Sequence, residues 1–530
     1  MNYIPIDYNE ITELSKRDLA FINQDEKLNK YVNAWPNEEA FKQTIEAKSN
    51  HQVDRKLLVN VLREQYAKTQ TSESTTQNID FLLTDNTFTI ITAHQPSLFT
   101  GPLYYIYKIA STINLTQRLK SRYPEYQFVP VFISGGEDHD FEEINHLQVY
   151  NKQVNWQNTE SGPVGRMSLD GVNEAFERLS EILGQGESAL EIVSIIKEAI
   201  SNAKTYADIN FSIVNSIFKK FGLVYINMDH ADLKRAFIPI IKDELINQTS
   251  FSIVNKTISE LETIGFKGQA TPREINLFFL ENGVRERITF ENERYQTKNG
   301  SLSWSKVEIL SLVDEHPEKF SPNVLLRPLY QETILPNLAY IGGGGEIAYW
   351  TERADQFKHY AIPFPLLIRR NSVLQISKGN QKQIGKTQLK LNDFIQPEQN
   401  LIQYFLDAFV KEDIDLSSYK HTIQSTFQEM AEKAKSIEEP LSKYVLAESS
   451  KQVKAIDNIE AKLKKALKSQ NEIQLNKLSS VRQKLFPNGG LQERYDNFTM
   501  YYAAQGQDWI DSLVENLDPL ERKFLLAVEE

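Results

Sequence analysis

Four ionisable residues in a row, Glu137-Asp138-His139-Asp140, follow Gly135-Gly136 and the apolar run Phe128-Val129-Pro130-Val131-Phe132-Ile133. Carboxylates flanking an imidazole can grip a substrate amine, coordinate a divalent ion, or supply a base whose pKa the neighbours tune. A second polar group follows the apolar run from Phe88 to Ala93: His94 and Gln95, then Gly101-Pro102, then Lys108. Proline after glycine predicts a helix opening at Pro102, because the first helical position gives up only an amide that has no partner anyway. The amides at that start, with the positive end of the helix dipole, would face a ligand beyond the strand. Lys108 lies about two turns inside, so its side chain would reach back toward the same crevice. A phosphate, or negative charge developing on one, is what such donors stabilise.

Two further segments repeat this grammar. Gly342-Gly343-Gly344-Gly345-Glu346 follows Leu338-Ala339-Tyr340-Ile341. Glu346 stands where a phosphate-binding loop ends in Lys-Ser/Thr, so a P-loop is not indicated. Gly343 and Gly344 either let backbone approach an adenosine or sugar, or serve only close helix–strand packing. Arg369 and Arg370 end the run Phe364 to Ile368, as phosphate ligands or as strand-end salt bridges. Zinc at His139 would need partners from His94, His146 and His230, so the presence of a metal stays open.

The elements that must position these residues are strands. The runs 88–93, 128–133, 223–228, 338–341 and 364–368 are apolar without alternation, as parallel strands covered on both faces are. The third ends at Asp229-His230, with Asp232 and Lys234 behind. Polar residues gather where the strands end, and open α/β sheets bind ligands outside those carboxyl ends. The organisation expected is N-terminal helices and the first half of a core over 1–150, a helical insertion over 151–220, a core strand at 221–234, a second insertion over 235–335, the second half of the core over 336–415, and a helical coiled-coil region over 416–530. Within it, Thr69–Thr76 reads as an exposed loop, and the alternation around Glu286-Arg287-Ile288-Thr289-Phe290 as short strands.

Apolar residues spaced by three and four, Ile423, Phe427, Met430, Ala434 and Ile437, then Ile456, Ile459, Leu463 and Ala466, form a narrow seam interrupted by Pro440. The lysines at 451, 454, 462, 464, 465 and 468 make the arm locally basic, which reads first as a solvated face.

Composition narrows the partners. A chain of 530 residues exceeds the roughly 250–300 that one core supports, so at least two structural units are expected. A net charge of −12 argues against wrapping nucleic acid, which needs a positive footprint. With no cysteine, disulfides, thiolate zinc sites and cysteine nucleophiles are excluded. No signal peptide and no membrane span are evident, so no membrane partner and a cytoplasmic location are expected.

Together, His94-Gln95-Pro96, Phe99-Thr100-Gly101-Pro102-Leu103-Tyr104 with Lys108, Gly136 to His146, Arg327-Pro328-Leu329-Tyr330-Gln331-Glu332-Thr333, Gly344-Gly345-Glu346-Ile347-Ala348-Tyr349-Trp350 and Leu485 to Arg494 resemble the bacillithiol biosynthesis cysteine-adding enzymes, the BshC family. The blocks occur in order over nearly the whole chain. At position 94 that pattern more often has glutamine. The resemblance implies a class I synthetase-like Rossmann core with inserted connective-peptide domains and a C-terminal α-helical coiled coil through which subunits pair as a homodimer. It implies a ligase forming an amide between L-cysteine and glucosaminyl-malate, with ATP activating a carboxylate through an acyl-adenylate or acyl-phosphate. It assigns no catalytic residue. The residues themselves nominate Glu137, Asp138, His139 and Asp140 for catalysis, and His94, Gln95, Gly101, Lys108, Gly343, Gly344, Glu346 and Arg369 for nucleotide. A nucleotide-sugar or glycosyltransferase-like enzyme, and a non-catalytic coiled-coil scaffold, remain as alternatives.

Overall fold

The computed structural model describes residues 1–281, 283–409 and 415–530. Five strands, β1 (Thr87–His94), β2 (Gln127–Ser134), β3 (Val224–Asn227), β4 (Asn337–Gly342) and β5 (Leu366–Arg369), form one parallel sheet in the order β5-β4-β1-β2-β3. They correspond to the five apolar runs, and β4 and β5 are buried at every residue. Helices on both faces leave no alternation to preserve, which is why the runs are continuously apolar. The strand order reverses between β1 and β4, and a crevice opens at such a reversal. Register levels the carboxyl ends: His94 pairs with Ser134, Ser134 with Asn227, and Gly342 with Arg369.

Helix α1 (Tyr104–Arg122) follows β1 and buries Tyr105, Ile106, Ile109, Ala110 and Ile113 in the core. It begins two residues later than the proline predicts. Phe99, Thr100 and Gly101 turn through positive φ, and at Gly101 (φ +64°) a Cβ would lie 2.6 Å from the Ser97 Cβ. Asn497 clamps this turn by donating to the carbonyls of Gly101 (2.6 Å) and Phe99 (3.1 Å), and the Leu103 amide donates to the Asp496 carbonyl at 2.8 Å. Of the amides expected to be free, that of Leu103 is thus engaged by a segment almost four hundred residues away, a long-range partner no local pattern announces, and that of Gly101 by the Leu98 carbonyl at 2.8 Å.

The insertion between β2 and β3 carries a small hairpin, His146–Val149 with Lys152–Asn155, and the helices Val172–Leu183, Glu187–Asn202 and Tyr206–Phe218. The insertion between β3 and β4 carries the helices Ile238–Asn247 and Thr249–Thr263 and an antiparallel sheet. Its strand order is Ser303–Trp304, Arg294–Thr297, Val284–Glu291, Leu277–Glu281, Phe320–Pro322. The first eighty residues are not all helical, because Asn2–Ile6 pairs antiparallel with Phe524–Val528. Nor is Thr69–Thr76 a simple loop. Ser72 caps the helix Glu73–Phe81 by accepting from the Thr75 amide at 3.1 Å, and the buried Thr75 hydroxyl donates to the Lys219 carbonyl at 3.2 Å.

Helix α2 (Gly344–Thr351) follows β4, and the helix Lys16–Ile22 docks on it. Arg17 pairs with Glu352 at 3.1 Å and donates to the Ala348 carbonyl at 2.7 Å, while Asp18 pairs with Arg369 at 3.0 Å. Gly344 lies under that carboxylate, where a Cβ would come within 2.3 Å of Asp18 Oδ2.

The chain divides into two compact units, residues 1–375 with 490–530, and residues 376–489. In the second, α3 (Ser417–Lys435) and α4 (Glu439–Gln470) form an antiparallel hairpin, tied by Lys420 to Asp457 (2.7 Å) and Glu460 (2.6 Å). Pro440 sits in the first turn of α4, where it costs no hydrogen bond, and the interruption falls before it. Ala431 and Leu467 are buried, whereas Ile459 and Leu463 remain 52% and 40% exposed. Lys451 and Lys464 pair with Glu448 and Glu460 along α4, as solvated helix charges do. Among the described residues no helix is long and apolar enough to cross a membrane.

Removing Asp18 would leave Arg369 buried without its counter-charge. Asp18→Ala is expected to cost about 3–5 kcal/mol in denaturant unfolding. A loss below about 1 kcal/mol, the scale of an exposed pair, would show that this contact does not fasten the N-terminal helix.

Candidate active site

A cavity of about 900 Å³ opens at the carboxyl ends of the strands. It lies at the reversal of strand order and is large enough for two small ligands. Of the twelve residues nominated from sequence, eight line it: His94, Gln95, Lys108, Glu137, Asp138, His139, Gly343 and Glu346. Gly101, Asp140, Gly344 and Arg369 do not. Gly101 shapes the turn before α1, and Gly344 and Arg369 pack around Asp18. Asp140 is exposed ahead of a short helix, its amide 3.4 Å from Asp138 Oδ1.

Lys108 and Glu346 close the gap between β1 and β4. Lys108, 2% exposed, places Nζ 2.5 Å from Glu346 Oε2 and donates to the Ala93 carbonyl at 2.9 Å. Glu346 also accepts from the Tyr340 hydroxyl at 2.8 Å and from the Gly343 amide at 2.9 Å, capping α2. Burial would raise the Glu346 pKa, but Lys108 and the Gly343 amide outweigh it and hold the carboxyl at about 2. Burial lowers Lys108 to about 8 against the opposing pull of Glu346. The pair is therefore ionised at neutral pH, and Lys108 is committed to Glu346 rather than free for a phosphate.

His94, buried beside Lys108, is pushed down to about 4 by desolvation and that cation, so its ring is neutral. A carbonyl can only accept, so Nδ1, 2.9 Å from the Gln95 oxygen, carries the proton and Nε2 accepts from the Tyr104 hydroxyl at 3.2 Å. His139 has the opposite arrangement. Arg285 donates to its Nδ1 at 2.8 Å, and burial followed by that guanidinium lowers its pKa, leaving the proton on Nε2. Neither imidazole presents a free basic nitrogen.

The carboxylates divide in role. Gln95 donates to Asp138 at 2.8 Å and Glu143 at 3.2 Å. Burial alone would raise Asp138, but the Gln95 amide and Arg285 keep it below the ordinary range and ionised. Glu137 lies 2.5 Å from Lys234, which also takes Asp229 at 3.2 Å while Arg166 forks onto Asp229 at 2.6 and 2.7 Å. Burial raises the Glu137 pKa, the shared ammonium opposes this, and the neighbouring Asp229 charge adds to it. The Gly136 and Gly165 backbones touch: a Cβ on Gly165 would lie 2.9 Å from the Gly136 Cα, and one on Gly136 would lie 3.3 Å from the Gly165 Cα.

Six cationic residues of the lining were not nominated from sequence: Arg273, Arg285, Arg287, Lys298, Arg327 and Arg494. Arg370 is fixed by two bonds to Glu493, at 2.9 and 2.7 Å, and Arg327 donates to the Tyr349 hydroxyl at 2.9 Å. Arg285 and Arg287 carried a readable signal, since cations two apart on a strand share a face. Arg494 had none, arriving from the far end of the chain. The four histidines considered for zinc do not converge, and among the described residues no group of three or more His, Cys, Asp or Glu side chains is arranged to hold a metal.

Lys108→Met would leave Glu346 partly buried and uncompensated. Equilibrium unfolding is expected to show a loss of about 3–5 kcal/mol, with a substantial part recovered by adding Glu346→Gln. Additive losses in the double variant would refute the coupling of the two residues.

The chain matches the family description "Bacillithiol biosynthesis BshC, N-terminal Rossmann-like domain" over residues 1–371 and "Bacillithiol biosynthesis BshC, C-terminal coiled-coil domain" over residues 373–528. A protein of Flavobacterium johnsoniae named "Putative cysteine ligase BshC" is 42% identical over 523 residues, covering 98% of each chain. A protein of the same name from Cytophaga hutchinsonii is 34% identical over 96% of this chain and 95% of its own. Another from Bacillus cereus is 28% identical over 90% and 91%. Two family matches that together run from residue 1 to 528, and relatives aligned end to end, carry one conclusion: the chain belongs to the bacillithiol biosynthesis BshC family.

Proposed function

We propose that this protein is a cysteine ligase of the cytoplasm that joins L-cysteine to glucosaminyl-malate, forming the amide bond that completes bacillithiol. The observation that carries the reading is the pairing of carboxylates in opposed states in one cavity: Asp138 held ionised and Glu137 made more basic by burial. Amide formation needs an amine that is first bound as its ammonium and then deprotonated. Asp138, oriented by Gln95, holds the ammonium, and Glu137 takes the proton, with Lys234 stabilising its charged form. The amine nitrogen then attacks the activated cysteine carboxyl carbon, and the bond to the leaving group breaks.

ATP supplies that leaving group by activating the carboxyl. The donor set fits a phosphate-bearing ligand: the first turn of α2 at the cavity-lining Gly345 and the guanidinium group of Arg494, which has no ion-pair partner among the described residues. His94, neutral and tethered by Tyr104, contributes shape and hydrogen bonding rather than charge.

The test is to incubate the purified protein with glucosaminyl-malate, cysteine and ATP and to follow the thiol product by mass spectrometry. Product is expected from the wild type. Asp138→Asn should abolish it while shifting the thermal midpoint by no more than a few degrees, because a cavity-lining side chain contributes little packing. Activity and stability lost together would assign Asp138 a structural role instead.

The second unit supports a further part of the proposal, a homodimer formed through the α3–α4 hairpin. Ile459 and Leu463 lie on one stripe of α4 and stay half exposed within the unit. Replacing both with Asp should convert a dimer to a folded monomer in light scattering. A wild type that is already monomeric at micromolar concentration would refute the pairing.

A further inference from the structure

The wall that the second insertion contributes to the cavity is predominantly cationic, with Arg273, Arg285, Arg287 and Lys298 against the single carboxylate of Glu286. Arg285 and Arg287 lie two residues apart on the strand Val284–Glu291 and so share a face. Phe278, opposite Arg287 in register, lies on that face and carries the Arg285 guanidinium 3.8 Å over its ring. Lys298 adjoins them, its amide donating to the Arg287 carbonyl at 2.9 Å, and Arg273 lines the same cavity. Arg285 is committed to His139. Arg273, Arg287 and Lys298 form no ion pair among the described residues, and the Arg287 Nε is buried without a hydrogen-bond acceptor.

The contrast with the sheet side of the cavity is informative. There Lys108 and Arg370 have carboxylates at 2.5 and 2.7 Å, and the lining residue Glu137 is met by Lys234 at 2.5 Å. The inserted wall differs: Arg287 is half-buried and Arg273 and Lys298 are exposed along it, and none of the three meets a carboxylate among the described residues. Cations gathered without counter-charges raise the local potential for an anion.

We propose that Arg287, Lys298 and Arg273 form the subsite for the two carboxylates of the malate moiety, making the inserted sheet the element that selects a dicarboxylate-bearing acceptor. The proposal rests on the ligase reading above. A planar guanidinium matches a carboxylate through two parallel bonds, and Lys298 adds a mobile point charge for the second. The phosphate donors proposed above, α2 and Arg494, belong to other elements than this wall, so the two anionic ligands have separate donor sets.

The experiment compares wild type with Arg287→Gln/Lys298→Gln, using calorimetry with glucosaminyl-malate, L-malate and ATP as separate probes, and turnover with cysteine. In the variant, glucosaminyl-malate and L-malate should each bind about 30-fold or more weakly, with ATP affinity within about threefold of wild type. Arg287→Lys, which keeps the charge and loses the fork, should fall between. Selective weakening of ATP, equal weakening of all three probes, or unchanged affinity for both malate-bearing probes would each overturn the assignment. The two readings fail separately. A wild type that makes product while the variant keeps its KM for glucosaminyl-malate sinks the subsite alone. A wild type that makes no product yet binds L-malate through Arg287 sinks the ligase reading alone.

Discussion

The Lys108–Glu346 ion pair is the contact on which the site depends. It joins the helix after β1 to the helix after β4, across the point where the strand order reverses and the sheet's crevice opens. A charged pair largely withdrawn from water is an expensive fastener, because the desolvation of two ions offsets most of their attraction. Its value here is positional. It fixes α2 so that the Gly343 amide and Glu346 meet, and it sets the electrostatic environment that keeps His94 neutral.

The same device recurs around the carboxyl edge. Arg369 meets Asp18, Arg370 meets Glu493, and Lys234 meets Glu137 and Asp229. Apart from Lys234–Asp229, each pair joins elements distant in sequence, so the two ends of the chain are fastened to the rim of the central sheet. Losing one partner of such a pair costs more than the pair contributes, since the survivor is stranded in a poor solvent. The edge therefore behaves as a set of interlocked charges, and the cavity wall without such locks, on the inserted sheet, stands out against it.

Function divides along the same lines. The sheet side of the cavity holds charges in fixed states: a neutral His94, an ionised Asp138, a Glu137 made more basic. The insertion side carries Arg273, Arg287 and Lys298, which have no ion-pair partner among the described residues. A two-substrate ligase needs both kinds of wall, one to manage protons and one to hold anionic handles still while the bond forms.

The sequence by itself determined the sheet and most of the cavity lining. Five continuously apolar runs could only be strands covered on both faces, and polar residues at their ends had to meet at one edge, so His94, Gln95, Lys108, Glu137, Asp138, His139, Gly343 and Glu346 were legible before any coordinates. In the C-terminal arm the spacing of three and four announced the helices but not their packed face: Ala431 and Leu467 are buried, whereas Met430, Ile437, Ile459 and Leu463 of the expected seam are exposed. Tertiary structure decided what each polar residue does. Lys108 reads as a phosphate ligand until Glu346 is seen beside it, and Arg369 and Gly344 read as ligand contacts until Asp18 is found between them. The Leu103 amide before α1 reads as free until the Asp496 carbonyl returns to accept from it. The reason is physical: periodicity and turn chemistry act over a few residues, whereas the partner that neutralises a buried charge can come from anywhere in the chain, and only the fold says from where.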